Sequence, residues 1–217
     1  MLQPDLPRWL EANAIAGDPA GWREPLGAGL AVGHDAARLI VVTGDADPSA
    51  VTALAAARPQ HVVLVAIERA DLAAATGRPH ERAILHALAD AGELPGGDGA
   101  VPLERVPEEL AEPLASELRW AHARGPIWSA WVDGAPASFA YAPWRTPAWF
   151  DVSVDTVPSA RQGAGGAIVA AAMAGAERAH GRDPVWGANE SNRASLRLAK
   201  HLGFAPVDEL WVCAPVA

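Results

Sequence analysis

The chain has 217 residues, half of them hydrophobic and a fifth charged, which suffices for one substantial domain or two small ones with a buried core. A formal net charge of −9 argues against nucleic acid or an anionic membrane as the main partner. The single cysteine, Cys213, excludes an intrachain disulfide framework and a cysteine-based zinc site, and fits a reducing compartment.

The opening residues have no basic stretch leading into an apolar run, so no signal peptide is expected. Residues 37–45 (ARLIVVTGD) form a β-branched run ended by Gly44 and Asp45, a buried-type strand. Residues 47–59 open on Asp-Pro, as helices do, and stop at Pro59. A second buried-type strand is expected over 61–67 (HVVLVAI) and a helix over 80–92 (HERAILHALADAG) closed by Gly92. Glycines and prolines crowd residues 92–102, which places a linker near 94–101 and divides the chain into an α/β segment, 1–98, and a second domain, 99–217.

Beyond the linker, residues 107–125 read as a helix interrupted or restarted at Pro113. Residues 126–144 read as a hairpin turning at Asp133-Gly134, a dipeptide that favours two positive φ angles. Residues 148–156 (AWFDVSVDT) alternate as a third strand, and a helix opens at the following glycine turn and ends at Gly181. A short strand (184–190), a helix stopped by Gly203 and a last strand (207–215) complete the order. The most apolar stretch, 165–176, is too short and too rich in small residues to span a bilayer, so a soluble cytoplasmic protein is expected.

The turn itself, PSARQGAGGA, holds Gly163, Gly165 and Gly166 beside Arg161. Missing Cβ atoms let the backbone approach a ligand, and the helix start adds unsatisfied N–H groups, a combination that suits phosphate or pyrophosphate. A Walker loop is excluded, because no Lys-Ser/Thr follows the glycines. The dinucleotide fingerprint is broken by the spacing of Gly163 and Gly165 with Ile168 following them, and the next strand holds Trp186. The plain alternative is that the glycines only let a helix pack closely on a sheet.

Residues 156–173 (TVPSARQGAGGAIVAAAM) resemble the acyl-CoA-binding segment of the GNAT acyltransferase superfamily, with Gln162, Gly163, Ala164, Gly165, Gly166 and Ala167 at the spacing Gln/Arg-x-x-Gly-x-Gly/Ala. Residues 188–204 resemble a second segment of that family, through Asn192, Ser195, Leu202, Gly203 and Phe204. The resemblance covers roughly residues 100–215. It implies a mixed, mostly antiparallel central sheet with flanking helices, preceded here by a smaller α/β half. It also implies acetyl-CoA as co-substrate, its pyrophosphate on the N–H groups of residues 162–167. The pantetheine arm would pair with the backbone of Val154, Asp155 and Thr156, with Asn192 bonding to the arm or the nucleotide and Ser195 capping or lining the groove. Counted from Pro158 the turn is about one residue shorter than the common form, which leaves Arg161 and Gln162 two alternative registers.

The chemistry so implied is acetyl transfer to a primary amine by direct attack in a ternary complex, the backbone N–H of Val154 or Asp155 polarising the carbonyl. Along the strand Asp151 and Asp155 are expected on one face, either one a candidate general base. The family's usual acid, a tyrosine on the helix of that second segment at the residue after Leu198, is replaced by Ala199, which supports an alternative: a catalytically silent acyl-CoA-binding or sensor module. Tyr141, the only tyrosine, reads as a packing residue with a tethered hydroxyl, and Cys213 as a small buried hydrophobe. Trp128, Trp131, Trp144 and Trp149 are candidates for an acceptor pocket wall, more of them expected in core or interface. No histidine pair has metal-ligand spacing, so no metal is expected. The acceptor is expected to be a small molecule rather than a protein, and cationic given the negative charge. Some relatives carry a degenerate copy of the same fold in front; residues 1–98, with no glycine-rich turn, are compatible with one that covers the acceptor site or packs on the second domain.

Overall fold

The computed structural model describes residues 2–88, 94, 96–161 and 163–216. In chain order the first elements are α1 (Leu10–Gly17), β1 (Gly21–Leu26), β2 (Gly29–His34), β3 (Leu39–Thr43) and α2 (Pro48–Ala57). There follow β4 (Val62–Ala66), α3 (Ala70–Ala75), β5 (His80–Leu88), β6 (Val101–Pro102) and α4 (Leu114–His122). The remainder comprises β7 (Trp128–Val132), β8 (Ala135–Tyr141), β9 (Trp149–Asp151), β10 (Ser153–Thr156), α5 (Gly165–Arg178), β11 (Asp183–Asn189), α6 (Arg193–His201) and β12 (Phe204–Cys213). The fold is mixed α/β: antiparallel pairs predominate, β3–β4 and β9–β11 are parallel, and helices flank the strands. Two units emerge. One holds the chain up to Leu85, Gly187–Arg193 and the residues from Pro206 on; the other holds His86–Trp186 and Ala194–Ala205.

In the first unit the strands run β1-β2-β3-β4-β12-β5. The parallel β3 and β4 are rich in valine, as strands covered on both faces are. Between them α2 starts where Asp47 accepts a hydrogen bond from Ser49 N at 2.7 Å and Pro48 takes the first helical position. The core gathers Leu26, Ile40, Val42, Val63, Val65 and Leu72, with Cys213 fully buried among them. β1 and β2 meet at a two-residue turn whose Gly27 has φ +72°, the residue type a tight hairpin needs there.

The segment expected as a helix over 80–92 is the strand β5 as far as Leu88, the rest lying outside the described residues. Its Ala, Leu, Glu and Arg favour a helix by only tenths of a kcal/mol each. Ala83, Leu85 and Ala87 instead alternate into the core, and β12 beside β5 supplies backbone partners.

In the second unit an antiparallel sheet runs β10-β8-β7-β6. Asp133 (φ +50°) and Gly134 (φ +80°) make the β7–β8 turn, both left-handed as the dipeptide predicts. α4 lays Leu118 and Ala121 against Ile127, Phe139 and Tyr141, while α5 packs on β7, β8 and β10. The strand expected across 148–156 is in fact two. β9 pairs in parallel with β11 through Asp151↔Val185, and Val152 N still donates to Val185 O at 2.9 Å. From Ser153 on, the chain pairs with β8 instead, Ser153↔Tyr141 to Thr156↔Ser138. Two strands that begin side by side thus part at Val152.

Candidate active site

Parting from β11 leaves β10 at the end of its sheet. Val157 N donates to Ala137 O at 2.9 Å. Because ladder bonds alternate, residues 153, 155 and 157 face β8, and the N–H and C=O of Val154 and Thr156 point to the free edge. The backbone of Asp155, one of two sources considered for a carbonyl-polarising N–H, is therefore committed to Phe139 on β8.

The start of α5 lies against the same strand. A Cβ on Gly166 would come 3.5 Å from Val154 Cγ1 and 3.7 Å from Thr156 Oγ1. No side chain caps α5. Among the described residues, the N–H groups of Ala164, Gly165 and Ala167 find no acceptor, the ordinary condition of a helix start waiting for an external one. Arg161 is exposed and reaches back to Thr156 O at 3.4 Å. Gln162 lies outside the described residues.

The three glycines separate into different jobs. A Cβ on Gly165 would sit 2.5 Å from Ser138 Oγ, so this glycine lets α5 press onto β8. At Gly163 the nearest atom would be Ala160 O at 3.4 Å, so that position stays open to a ligand. The packing explanation thus fits Gly165 and does not account for Gly163.

On the other face of β10, toward α4, carboxyl groups collect. Tyr141 Oη is 2.7 Å from Asp155 Oδ2 and 2.7 Å from Glu117 Oε1. Tyr141 is buried, as expected, and its hydroxyl is tethered at both sides. Burial, then the charges of Asp155 and Glu117, push its phenol well above the usual value. Glu117 is exposed as a residue but turns Oε1 inward. Loss of hydration there raises its pKa, with the Tyr141 bond pulling back and the Asp155 charge adding to the rise. Asp151 is pushed up to about 7, first by burial and then by the charge of Glu117, against hydrogen bonds from Ser153 and the Val152 backbone. The break at Val152 falls between the two aspartates, yet Glu117 links them: bonded to one through Tyr141, electrostatically felt by the other.

Sequence reading missed Glu117. The only available signal was a carboxylate three residues after Leu114 and four before Ala121, beside the inner stripe of a helix.

Asn192 lies in the turn between β11 and α6, its N–H donating to Asn189 O at 2.8 Å. Ser195 Oγ accepts the indole N–H of Trp186 at 2.8 Å, which ties α6 to β11. Ala199 is fully buried. Trp144 is buried edge-on to Trp120, over which Arg124 sits at 4.2 Å. Trp131 is exposed and borders a cleft of about 910 Å³ beside β6, the strand at the opposite end of the sheet from β10. Among the described residues no group of three or more His, Cys, Asp or Glu is arranged to hold a metal ion, and no helix is long and apolar enough to cross a membrane.

No protein-family model matches the chain, and no curated protein matches it. Solved structures do. A GCN5-related N-acetyltransferase from Kribbella flavida superimposes with a TM-score of 0.65 over 97% of this chain and 95% of that one, at 17% identity. A GCN5-related N-acetyltransferase-like protein from Streptococcus suis gives 0.66 over 97% and 94%, at 16% identity. The tandem GNAT protein from the clavulanic acid biosynthesis pathway gives 0.53 over 97% and 94%, also at 16% identity. The chain has the fold of the GNAT acetyltransferases, in agreement with the fold class and the resemblance drawn from its sequence.

Proposed function

We propose that the protein is an N-acyltransferase that moves an acetyl group from acetyl-CoA to a primary amine by direct attack in a ternary complex. The observation that carries this reading is the parting of β10 from β11 at Val152, directly beside an uncapped helix start opened by Gly163. N–H groups of Ala164, Gly165 and Ala167 that find no acceptor among the described residues suit a pyrophosphate, and the outward N–H and C=O of Val154 and Thr156 suit an amide-bearing arm laid along the edge. Solved structures that share the fold are described as an N-acetyltransferase and an N-acetyltransferase-like protein, which agrees with it.

When bound, acetyl-CoA would supply the activated acyl group as a thioester. Arg161 and the α5 N–H groups would hold the anion, with Gln162, Gly166 and Ser195 as further residues of that groove. Val154 N–H polarises the thioester carbonyl. Asp151 and Asp155 draw in the acceptor as an ammonium and take its proton, and a carboxyl poised at about 7 suits a general base at neutral pH. Three carboxyl groups around one site favour a small cationic acceptor. No tyrosine stands at the Ala199 position, so the leaving thiolate takes its proton from water. The likeness to a tandem GNAT protein supports residues 1–98 as a degenerate half without a cradle of its own.

A thiol-release assay with acetyl-CoA and a panel of polyamines, aminoglycosides and peptide amines tests the reading. Release that needs an amine and is lost in Asp151→Asn/Asp155→Asn supports it. The buried Ala199 favours one rival, a silent acyl-CoA-binding module, which predicts binding without release for every amine.

A further inference from the structure

One phenol proton cannot serve two carboxylates. Tyr141 Oη stands 2.7 Å from both Glu117 Oε1 and Asp155 Oδ2, and a phenol donates once. With both carboxyls ionised, one of these approaches would set an oxygen lone pair against an anion. Both are hydrogen bonds when a second proton is on the line, carried by Glu117 or by Asp155. The line has a direction. Asp155 is partly buried on β10, Tyr141 is 2% exposed, and Glu117, whose Oε1 turns inward to Tyr141, is exposed as a residue.

We infer that Tyr141 and Glu117 are the proton outlet of Asp155, carrying the proton released by the acceptor amine from the site to solvent. This rests on the acyltransferase reading, and it distinguishes Asp155 from Asp151, from which no such line leads among the described residues. The ammonium gives one proton to Asp155. With the second proton resting on Glu117, Glu117 gives that proton to water as Tyr141 passes its own to the vacated Glu117 Oε1 and Asp155 passes the ammonium's to Tyr141 Oη. The amine keeps its lone pair for attack, each oxygen ends as it began, and the phenol never becomes a phenolate. Among the described residues, the line itself holds Glu117 from α4, Tyr141 from β8 and Asp155 from β10, and Asp151 from β9 feels the charge of Glu117. Of the other charged residues on α4, Arg119 pairs with Glu112 and His122 Nε2 lies 3.1 Å from Leu103 O. Glu117 and Tyr141 are positioning residues, since neither touches the substrate.

The test compares Glu117→Gln, Glu117→Asp and Tyr141→Phe with the wild type in amine-dependent thiol release across pH, alongside acetyl-CoA binding and infrared spectra of the ligand-free proteins. The outlet predicts at least a tenfold loss of kcat and an altered pH profile in Glu117→Gln and Tyr141→Phe. It also predicts unchanged acetyl-CoA affinity, partial rescue by Glu117→Asp, and a protonated-carboxyl band in the wild type that disappears in Glu117→Gln. A Glu117→Gln enzyme with wild-type kcat and pH profile, or a wild type without that band, overturns the outlet while leaving the acyltransferase reading intact. A wild type that shows the band but releases no thiol with any amine overturns the acyltransferase reading, and the outlet's catalytic use with it.

Discussion

Replacing Gly165 by alanine separates packing from ligand binding at the glycine turn. The added Cβ would lie 2.5 Å from Ser138 Oγ, closer than real contacts allow, and a tight 3.1 Å from Ser138 Cβ. Ser138 is buried, and its Oγ shares a hydrogen bond with Thr156 Oγ1 at 3.0 Å, so it cannot swing away freely. Overpacking of this kind costs about 1–3 kcal/mol. Rotating Ser138 instead forfeits a bond worth roughly 0.5–1.5 kcal/mol. Helix propensity returns at most about 1 kcal/mol, and less at the first residue of a helix. Gly165→Ala should therefore lose on the order of 1–3 kcal/mol in urea unfolding, while Gly163→Ala, with only Ala160 O at 3.4 Å, should stay within about 0.5 kcal/mol of wild type. Adding Ser138→Ala removes the 2.5 Å partner and should recover part of the loss, a coupling of about 1 kcal/mol. A Gly165→Ala protein as stable as wild type, or a double variant with no coupling, would refute the close approach of α5 to β8.

Two further outcomes follow from charged groups of the second unit. Glu177 is buried between Arg182 (Oε2 to Nε, 2.7 Å) and Arg145 (Oε1 to Nε, 2.8 Å), and although burial raises its pKa the bonds from Arg182 and Arg145 bring it below the usual value. Its contribution is present above the unfolded value of about 4.3 and is lost as pH falls below it, so acid should destabilise the wild type more steeply there than Glu177→Gln, which itself should cost about 3 kcal/mol at neutral pH by denaturant unfolding. Asp151 has the opposite sign: its folded pKa of about 7 means the native state keeps a proton that the unfolded chain has released above about 4. Wild-type stability should therefore fall as pH rises through that window, and Asp151→Asn should flatten the fall in unfolding midpoints measured from pH 4 to 8.

The parts of this fold that were legible in the sequence are those set by local chemistry. Asp133-Gly134 needs two left-handed residues, Asp47-Pro48 makes a helix entrance, and the proline-led glycine turn opens α5. What escaped depends on distant partners. β5 has helix-favouring residues and becomes a strand only because neighbouring strands offer it backbone bonds and a core for Ala83, Leu85 and Ala87. The break at Val152 has no glycine or proline to mark it; it exists because β11 and β8 compete for one strand. Glu117 joins the candidate site across 24 residues of chain from Tyr141, which no periodicity reveals. Gly165 was legible as part of a cradle, but its clearance of Ser138 depends on β8, more than twenty residues away in sequence.

The central claim is that β10 and the start of α5 hold an acyl-CoA. Calorimetric titration of the wild type and of Gly163→Glu with acetyl-CoA and with free CoA tests it most directly, because a side chain at residue 163 has room and the added carboxylate enters the anion's place without disturbing Ser138. Micromolar binding by the wild type, lost in a Gly163→Glu protein that unfolds at the same denaturant midpoint, is the result predicted. Absence of binding to the wild type, or binding unaffected by Gly163→Glu, would contradict the account.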